Sequence, residues 1–165
     1  MAKTLIVCYS WSNGNTRQIA ELLQAATGAD IAYIDTITPY RGTHQQVVDQ
    51  GLRETEAGYM PPIKPLEKDL AGYDTIILGT PTWWYTMAPA MLTFLTENDF
   101  RGKTVIPFMT HGGWPGHVLK DMKKACKGAD FACEMEIQFD SQGGPKLVTS
   151  QKVIDDWVAQ VKAVV

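Results

Sequence analysis

The sequence predicts an α/β domain in three layers, a doubly wound five-stranded parallel sheet with helices on both faces. Three observations predict it. Short apolar runs alternate with stretches of helical period, the pattern of repeated right-handed strand–helix–strand crossovers. One run, Asp74-Thr-Ile-Ile-Leu-Gly79, is apolar without interruption, as strands covered on both faces are. The chain has 165 residues, 45% of them apolar, enough to bury one full core, so residues 1–165 read as a single domain.

Lys3 to Tyr9 reads as the first strand. Thr16 to Ala26 follows as a helix, with Ile19, Leu22, Leu23 and Ala26 on one face and Gly28 placed to end it. Ala29 to Asp35 is the second strand. Thr36 to Pro65 is the least regular stretch, with Pro39, Pro61, Pro62 and Pro65 around a helix near Gln45 to Glu56 whose sparse apolar face is Val47, Val48 and Leu52. Asp74 to Gly79 is strand three, and Pro89 near a first turn starts a helix to Leu95. Thr104 to Thr110 is strand four. Pro107 lies inside it without an N–H to give, so a bulge or slip is expected there. Gly116 to Cys126 is a helix turning Val118, Leu119, Met122 and Cys126 inward. From Ala132 to Phe139, Cys133, Met135, Ile137 and Phe139 alternate with Glu134, Glu136 and Gln138, as in a strand at a sheet edge. Thr149 or Ser150 caps a last helix carrying Ile154, Trp157, Val158 and Val161, with Trp157 in the core.

Composition narrows the function. Net charge is −3 and the pI is near 5.6, with no lysine/arginine stripe, which argues against nucleic acid or an anionic membrane as partner. No segment approaches spanning length, and the first ten residues hold too short an apolar run for an export signal, so no membrane insertion and a cytoplasmic location are expected. Cys8, Cys126 and Cys133 form neither a CxxC pair nor a metal-like spacing and read as reduced, buried thiols.

In an open parallel sheet, ligands bind beyond the carboxyl ends of the strands where the winding reverses. The loops there are the most unusual segments of the chain. After strand one, Tyr9-Ser-Trp-Ser-Asn-Gly-Asn-Thr16 puts hydroxyls, glycine and backbone N–H groups at a helix start, an anion cradle. It contains no lysine, which suits one phosphate better than a triphosphate. After strand three comes Thr80-Pro-Thr-Trp-Trp-Tyr-Thr-Met87, and after strand four His111-Gly-Gly-Trp-Pro-Gly116. Neither holds an aspartate, glutamate, lysine or arginine. Trp83, Trp84, Tyr85 and Trp114 offer planar faces at the same end of the sheet, where a flat, conjugated ligand could stack. His111 reads as a hydrogen-bonding loop residue, His44 and His117 as solvent-facing. Arg17 reads as pointing into solvent, and Lys120, Lys123 and Lys124 as a solvated helix face. Trp11 is placed to shield the phosphate or the chain beyond it.

One phosphate and one planar ring system describe flavin mononucleotide (FMN), and here the residues carry a resemblance. The arrangement resembles the flavodoxin family, in particular short flavodoxin-like proteins with a Trp-Trp second loop. Ser10-x-Ser12-Asn-Gly14-Asn-Thr16 is similar to the family's phosphate loop, Gly79-Thr-Pro-Thr-Trp-Trp-Tyr to the loop that walls the isoalloxazine, and Thr110-His-Gly-Gly to the third flavin loop. Leu66 to Asp74, leading into strand three, follows the pattern too. The resemblance implies strand order 2-1-3-4-5 and FMN as cofactor. It puts the phosphate on Ser10, Ser12, Asn15 and Thr16, with backbone N–H groups from Asn13 and Gly14 onward. The ring system would meet Pro81, Thr82, Trp83, Trp84 and Tyr85 on one side, and Thr110, His111, Gly112 and Gly113 on the other. Asn13 looks like one residue more than the commonest form of the phosphate loop carries.

The implied function is an FMN-binding electron-transfer protein that cycles the flavin between oxidised, semiquinone and hydroquinone states. No catalytic side chain and no metal is implied. The Gly112-Gly113 pair would allow the peptide reorientation that a carbonyl near flavin N5 requires. Partners would be redox proteins or a small-molecule electron acceptor, although the neutral loops do not suit a carrier steered to a basic partner. The alternative is an FMN-dependent NAD(P)H:quinone-type oxidoreductase, with the Thr36 to Pro65 segment as a substrate wall. A non-redox module of the same fold would want an acidic cluster at the strand ends, where this chain has hydroxyls and aromatics.

Overall fold

The computed structural model describes residues 3–11, 14–142 and 144–165. Strands β1 (Thr4–Cys8), β2 (Asp30–Tyr33), β3 (Thr75–Trp83) and β5 (Thr104–His111) are parallel, and the sheet runs β2-β1-β3-β5-β6, with β6 being Asp130–Phe131. Strand β7 (Met135–Gln138) continues the edge beside β5. Strand β4 (Thr86–Met87) folds back antiparallel on the end of β3. The expected order 2-1-3-4-5 is therefore the observed order, with two additions: a hairpin arm on the third strand and a fifth strand broken into β6 and β7.

The pleat sorts each strand's side chains between two cores. Leu5, Val7, Ile76, Leu78, Val105 and Met109 face helices α3 (Pro89–Glu97) and α4 (Val118–Ala125). Ile6, Cys8, Ile77, Ile106, Phe108 and Ile137 face helices α1 (Asn15–Thr27) and α5 (Gln151–Val164). Helix α2 (His44–Ala57) lies beside α3. Several helix boundaries have a local cause. Gly28 closes α1 at φ 71°, Ser150 accepts from Val153 N–H at the start of α5, and Pro89 opens α3. Thr43 and Gln46 form a reciprocal capping box at α2, each side chain bonding the other's backbone N–H.

Pro107 does not break its own strand. β5 pairs with β3 without a slip, Leu78 opposite Pro107. The irregularity falls on the partner instead. Val105 opposes Phe131 and Phe108 opposes Met135, so three steps along β5 match four along the edge, and Cys133 in the gap sits at φ 53°. Val105 and His111 both accept bonds from the edge segment, from Ala132 and Phe139. Since alternate residues of a strand address opposite neighbours, Pro107 addresses the same edge. Its missing N–H meets the gap.

Gly79 has a packing cause. A Cβ there would lie 2.2 Å from the Phe108 ring, which neighbours it in register and packs edge-on against Trp157 at 5.7 Å. Gly79→Ala is therefore expected to lower stability by about 1–3 kcal/mol, measured as a fall in urea midpoint at unchanged slope.

Candidate functional site

Strands β1, β3 and β5 end side by side, and their loops enclose a cleft of about 620 Å³. Asn15 and Thr16 line it from the start of α1, Pro81 to Trp84 from β3, and Thr110 to Gly112 from β5. The N-cap residue of α1, Gly14, offers no side chain to cap it, and the first turn holds no carboxylate. The positive end of the helix dipole thus opens on the cleft. Gly14 precedes the helix at φ 73°, and Ser10 Oγ accepts from Arg17 N–H at 3.3 Å. Ser12 and Asn13 lie outside the described residues.

Threonines hold these loops together. The Thr16 and Thr110 hydroxyls meet at 2.8 Å, both buried. Thr82 Oγ1 donates to the Thr110 carbonyl at 3.0 Å. Asn15 Nδ2 donates to the Gly144 carbonyl at 3.1 Å, while its Oδ1 is buried with no partner among the described residues. A buried acceptor left without a donor costs about 1–3 kcal/mol, which a donor supplied from the cleft would offset.

The aromatic wall divides between two roles. Trp83 is half-buried, edge-on to Tyr9 (6.1 Å), Trp11 (6.1 Å) and Tyr40 (4.9 Å). Burial pushes the Tyr9 and Tyr40 phenols above their ordinary range, and Tyr40 O–H donates to Glu54. Trp84 is 40% exposed and donates from Nε1 to the Val48 carbonyl of α2 at 2.8 Å. Trp84 and Tyr85 form the two-residue turn between β3 and β4 at φ 51° and 70°. Tight hairpins want positive φ at both central residues and usually supply it with asparagine or glycine. Two aromatic residues there store strain of about 1 kcal/mol each. The surroundings hold the turn: Tyr85 O accepts from His117 N–H, Gly116 packs against Tyr85, and Thr86 Oγ1 donates to Asp121. Tyr85 is 52% exposed at the tip and does not line the cleft.

Gly112 lines the cleft, and a Cβ on it would crowd the Asp140 carbonyl at 3.3 Å. Gly113 adopts φ 121° just outside the lining and donates its N–H to His111 Nδ1 at 3.0 Å. Burial lowers the His111 pKa below its ordinary value of 6.5, with Glu136 opposing. Arg17 points away, paired with Glu21 at 3.0 Å and lying over the Tyr33 ring.

Two parts of the wall escaped the sequence reading as site residues. His44, Val47, Val48 and Gly51 present one face of α2 to the cleft at helical spacing, and His44 stacks on Trp11 at 6.1 Å. The Thr43-x-x-Gln46 capping signature was the available signal for where that helix begins. Phe139 to Gln142, beyond the last strand, supply the opposite rim. Among the described residues Asp140 is the only aspartate or glutamate that lines the cleft, and no lysine or arginine does. Among the described residues no group of His, Cys, Asp and Glu could hold a metal ion, and no helix is long and apolar enough to cross a membrane.

Residues 3–159 match the family profile described as Flavodoxin, and the chain belongs to the flavodoxin family. Flavodoxin 1 of Salmonella typhimurium strain LT2 is 29% identical over 106 residues, 62% of this chain and 46% of that protein. Flavodoxin 1 of Escherichia coli K12 is 28% identical over the same length. The match spans about half the length of these relatives. A provisionally assigned flavoprotein of Bacteroides uniformis superposes with a TM-score of 0.78 at 25% identity, over 96% of this chain and 98% of that one. A Lactobacillus acidophilus flavoprotein solved in complex with FMN shares the fold, with a TM-score of 0.71 at 23% identity over 82% of this chain and 93% of that one.

Two predictions follow from this geometry. Tyr85→Gly should raise global stability by about 1 kcal/mol, because glycine holds positive φ without strain; an unchanged urea midpoint would show that the turn is relaxed. A histidine whose folded pKa is depressed binds fewer protons folded than unfolded, so its share of stability is full above 6.5 and declines as pH falls below that value. His111→Gln should accordingly flatten the fall in urea midpoint between about pH 7.5 and about pH 5.5.

Proposed function

We propose that this chain binds FMN in the cleft and serves as an electron-transfer protein. The observation that carries the reading is the convergence, on one cleft, of an open helix N-terminus and a tryptophan wall with no lysine or arginine between them. FMN, the cofactor of the family, fits the donor set: one phosphate for the cradle, ribityl hydroxyls for the orphaned Asn15 Oδ1, and a flat ring for the aromatic wall. When bound, FMN supplies reversible one- and two-electron redox chemistry.

The chain's own residues would set how that chemistry runs. The phosphate would sit on Ser10, Ser12, Asn15, Thr16 and the backbone N–H groups from Asn13 and Gly14 onward, without a side-chain cation. Trp83 and Trp84, backed by Val47 and Val48, would exclude water from one side of the ring, and Thr110 to Gly113 would approach the other, with Tyr85 holding the turn. A wall without cations gives no counter-charge to a reduced ring, which favours a low midpoint potential. Neutral His111 keeps it so. Gly113, held at φ 121°, leaves the Gly112–Gly113 peptide as the group that could turn a carbonyl or N–H toward the ring.

A second reading has its own support. The α2 face of Val47, Val48 and Gly51 and the neutral rim suit a small apolar acceptor entering beside the ring, as in an NAD(P)H:quinone-type oxidoreductase. Purified protein should be yellow and keep its flavin spectrum through desalting; a colourless protein that ignores added FMN would sink both readings. NADPH oxidation with a quinone in the absence of any reductase selects the enzyme. Trp84→Ala should weaken FMN binding on the order of tenfold, the worth of one aromatic stacking partner, read by flavin fluorescence titration. Gly113→Ala should shift the midpoint potential, and an unchanged potential would remove this peptide from the redox reading.

A further inference from the structure

A second cavity lies elsewhere on the chain. It is a groove of about 740 Å³ over the outer face of α3, walled by the end of α2 and by α4. Its volume falls in the range of small-molecule sites. Met87, Pro89, Leu92 and Leu95 give it an apolar floor.

The charges around it differ in how far they are already used. Glu54 accepts from Tyr40 O–H at 2.7 Å and from Gln50 Nε2 at 2.7 Å. Asp99 is held by Arg101 through two side-chain bonds, at 3.0 and 2.9 Å. Asp121 receives Thr86 O–H and pairs with His117 Nδ1. Every carboxylate lining the groove thus has its partner. Lys124 and Lys127 line the same groove, and among the described residues neither forms an ion pair; the neighbouring Lys123 does, with Glu134. Among the described residues, Lys124 and Lys127 are thus the charged groups of this lining with neither an ion pair nor a side-chain hydrogen bond.

We infer that the α2–α3–α4 groove is a second ligand site, for a small amphipathic anion with an apolar body over the α3 face and its acid group on Lys124 and Lys127. A carboxylate or sulfonate there would gain charge-assisted bonds without displacing an existing pair, while its apolar part would cover Leu92, which is only partly buried. A cation of the same shape would find only carboxylates already bonded. The site does not depend on flavin in the cleft, so it stands or falls apart from the redox reading.

Three probes with one apolar chain and different heads test it: octanoate, octanol and octylammonium. Each is titrated by calorimetry into protein saturated with FMN, or into the protein alone if FMN does not bind. Octanoate should bind one to one, at least about tenfold more tightly than octylammonium. The exposed double change Lys124→Gln and Lys127→Gln, which leaves the fold alone, should bring octanoate down to the affinity of octanol. Leu92→Gln should weaken octanoate and octanol together. Equal affinity for octanoate and octylammonium, indifference to the lysine changes, no binding of octanoate, or octanoate binding that FMN abolishes would each overturn the proposal.

Discussion

Thr110 is the point on which the candidate site depends. Its hydroxyl meets that of Thr16 at the head of α1, and its carbonyl takes the hydroxyl of Thr82. One residue at the end of β5 therefore fixes the relative height of all three loops. The arrangement needs a parallel sheet, because only strands running the same way end together. It also needs burial. Thr16 and Thr110 are nearly inaccessible, so losing either hydroxyl strands its partner out of reach of water.

A second constraint comes from the hairpin at the end of β3. Trp83 and Trp84 are adjacent yet point to different tasks, one into an aromatic cluster and one across to α2. Trp83 ends the extended strand and Trp84 opens the positive-φ turn, so the two side chains leave the backbone in different directions. The same few residues face two cavities: Trp83 and Trp84 wall the cleft, while Thr86 and Met87 line the groove. With α2 they form a shared partition.

Much of the fold was legible because its signals are local. The apolar run before Gly79, the glycine at position 28, Pro89 and the alternation from Cys133 to Phe139 each report a requirement met within a few residues. Distant requirements left weaker traces. Trp84-Tyr85 carries none of the residues that mark a hairpin turn, because tertiary contacts to His117, Gly116 and Asp121 impose it. The Thr36 to Pro65 segment was legible as a wall, but the cleft face of α2 mixes histidine, valine and glycine, too little apolar contrast to say which of its residues line the cleft. Pro107 announced an interruption correctly but not its location, since the sequence does not say which neighbour a missing N–H would have faced. The loops after β1, β3 and β5 were readable as a site because their composition makes no sense as a core.

The broken edge has a consequence for life in a crowded solution. An outer strand is a row of unpaired peptide groups, ready to accept a strand from another molecule. Here the row is cut. Between Phe131 and Met135 the chain holds an extra residue with Cys133 in a left-handed conformation, so a straight strand from a neighbouring copy could pair with only two residues before, and four after, the interruption. Glu136 lies exposed on this edge and would face its own copy across a pairing of two edges. A proline that looks like a defect in an interior strand thus lies opposite the break that shortens the template this edge offers.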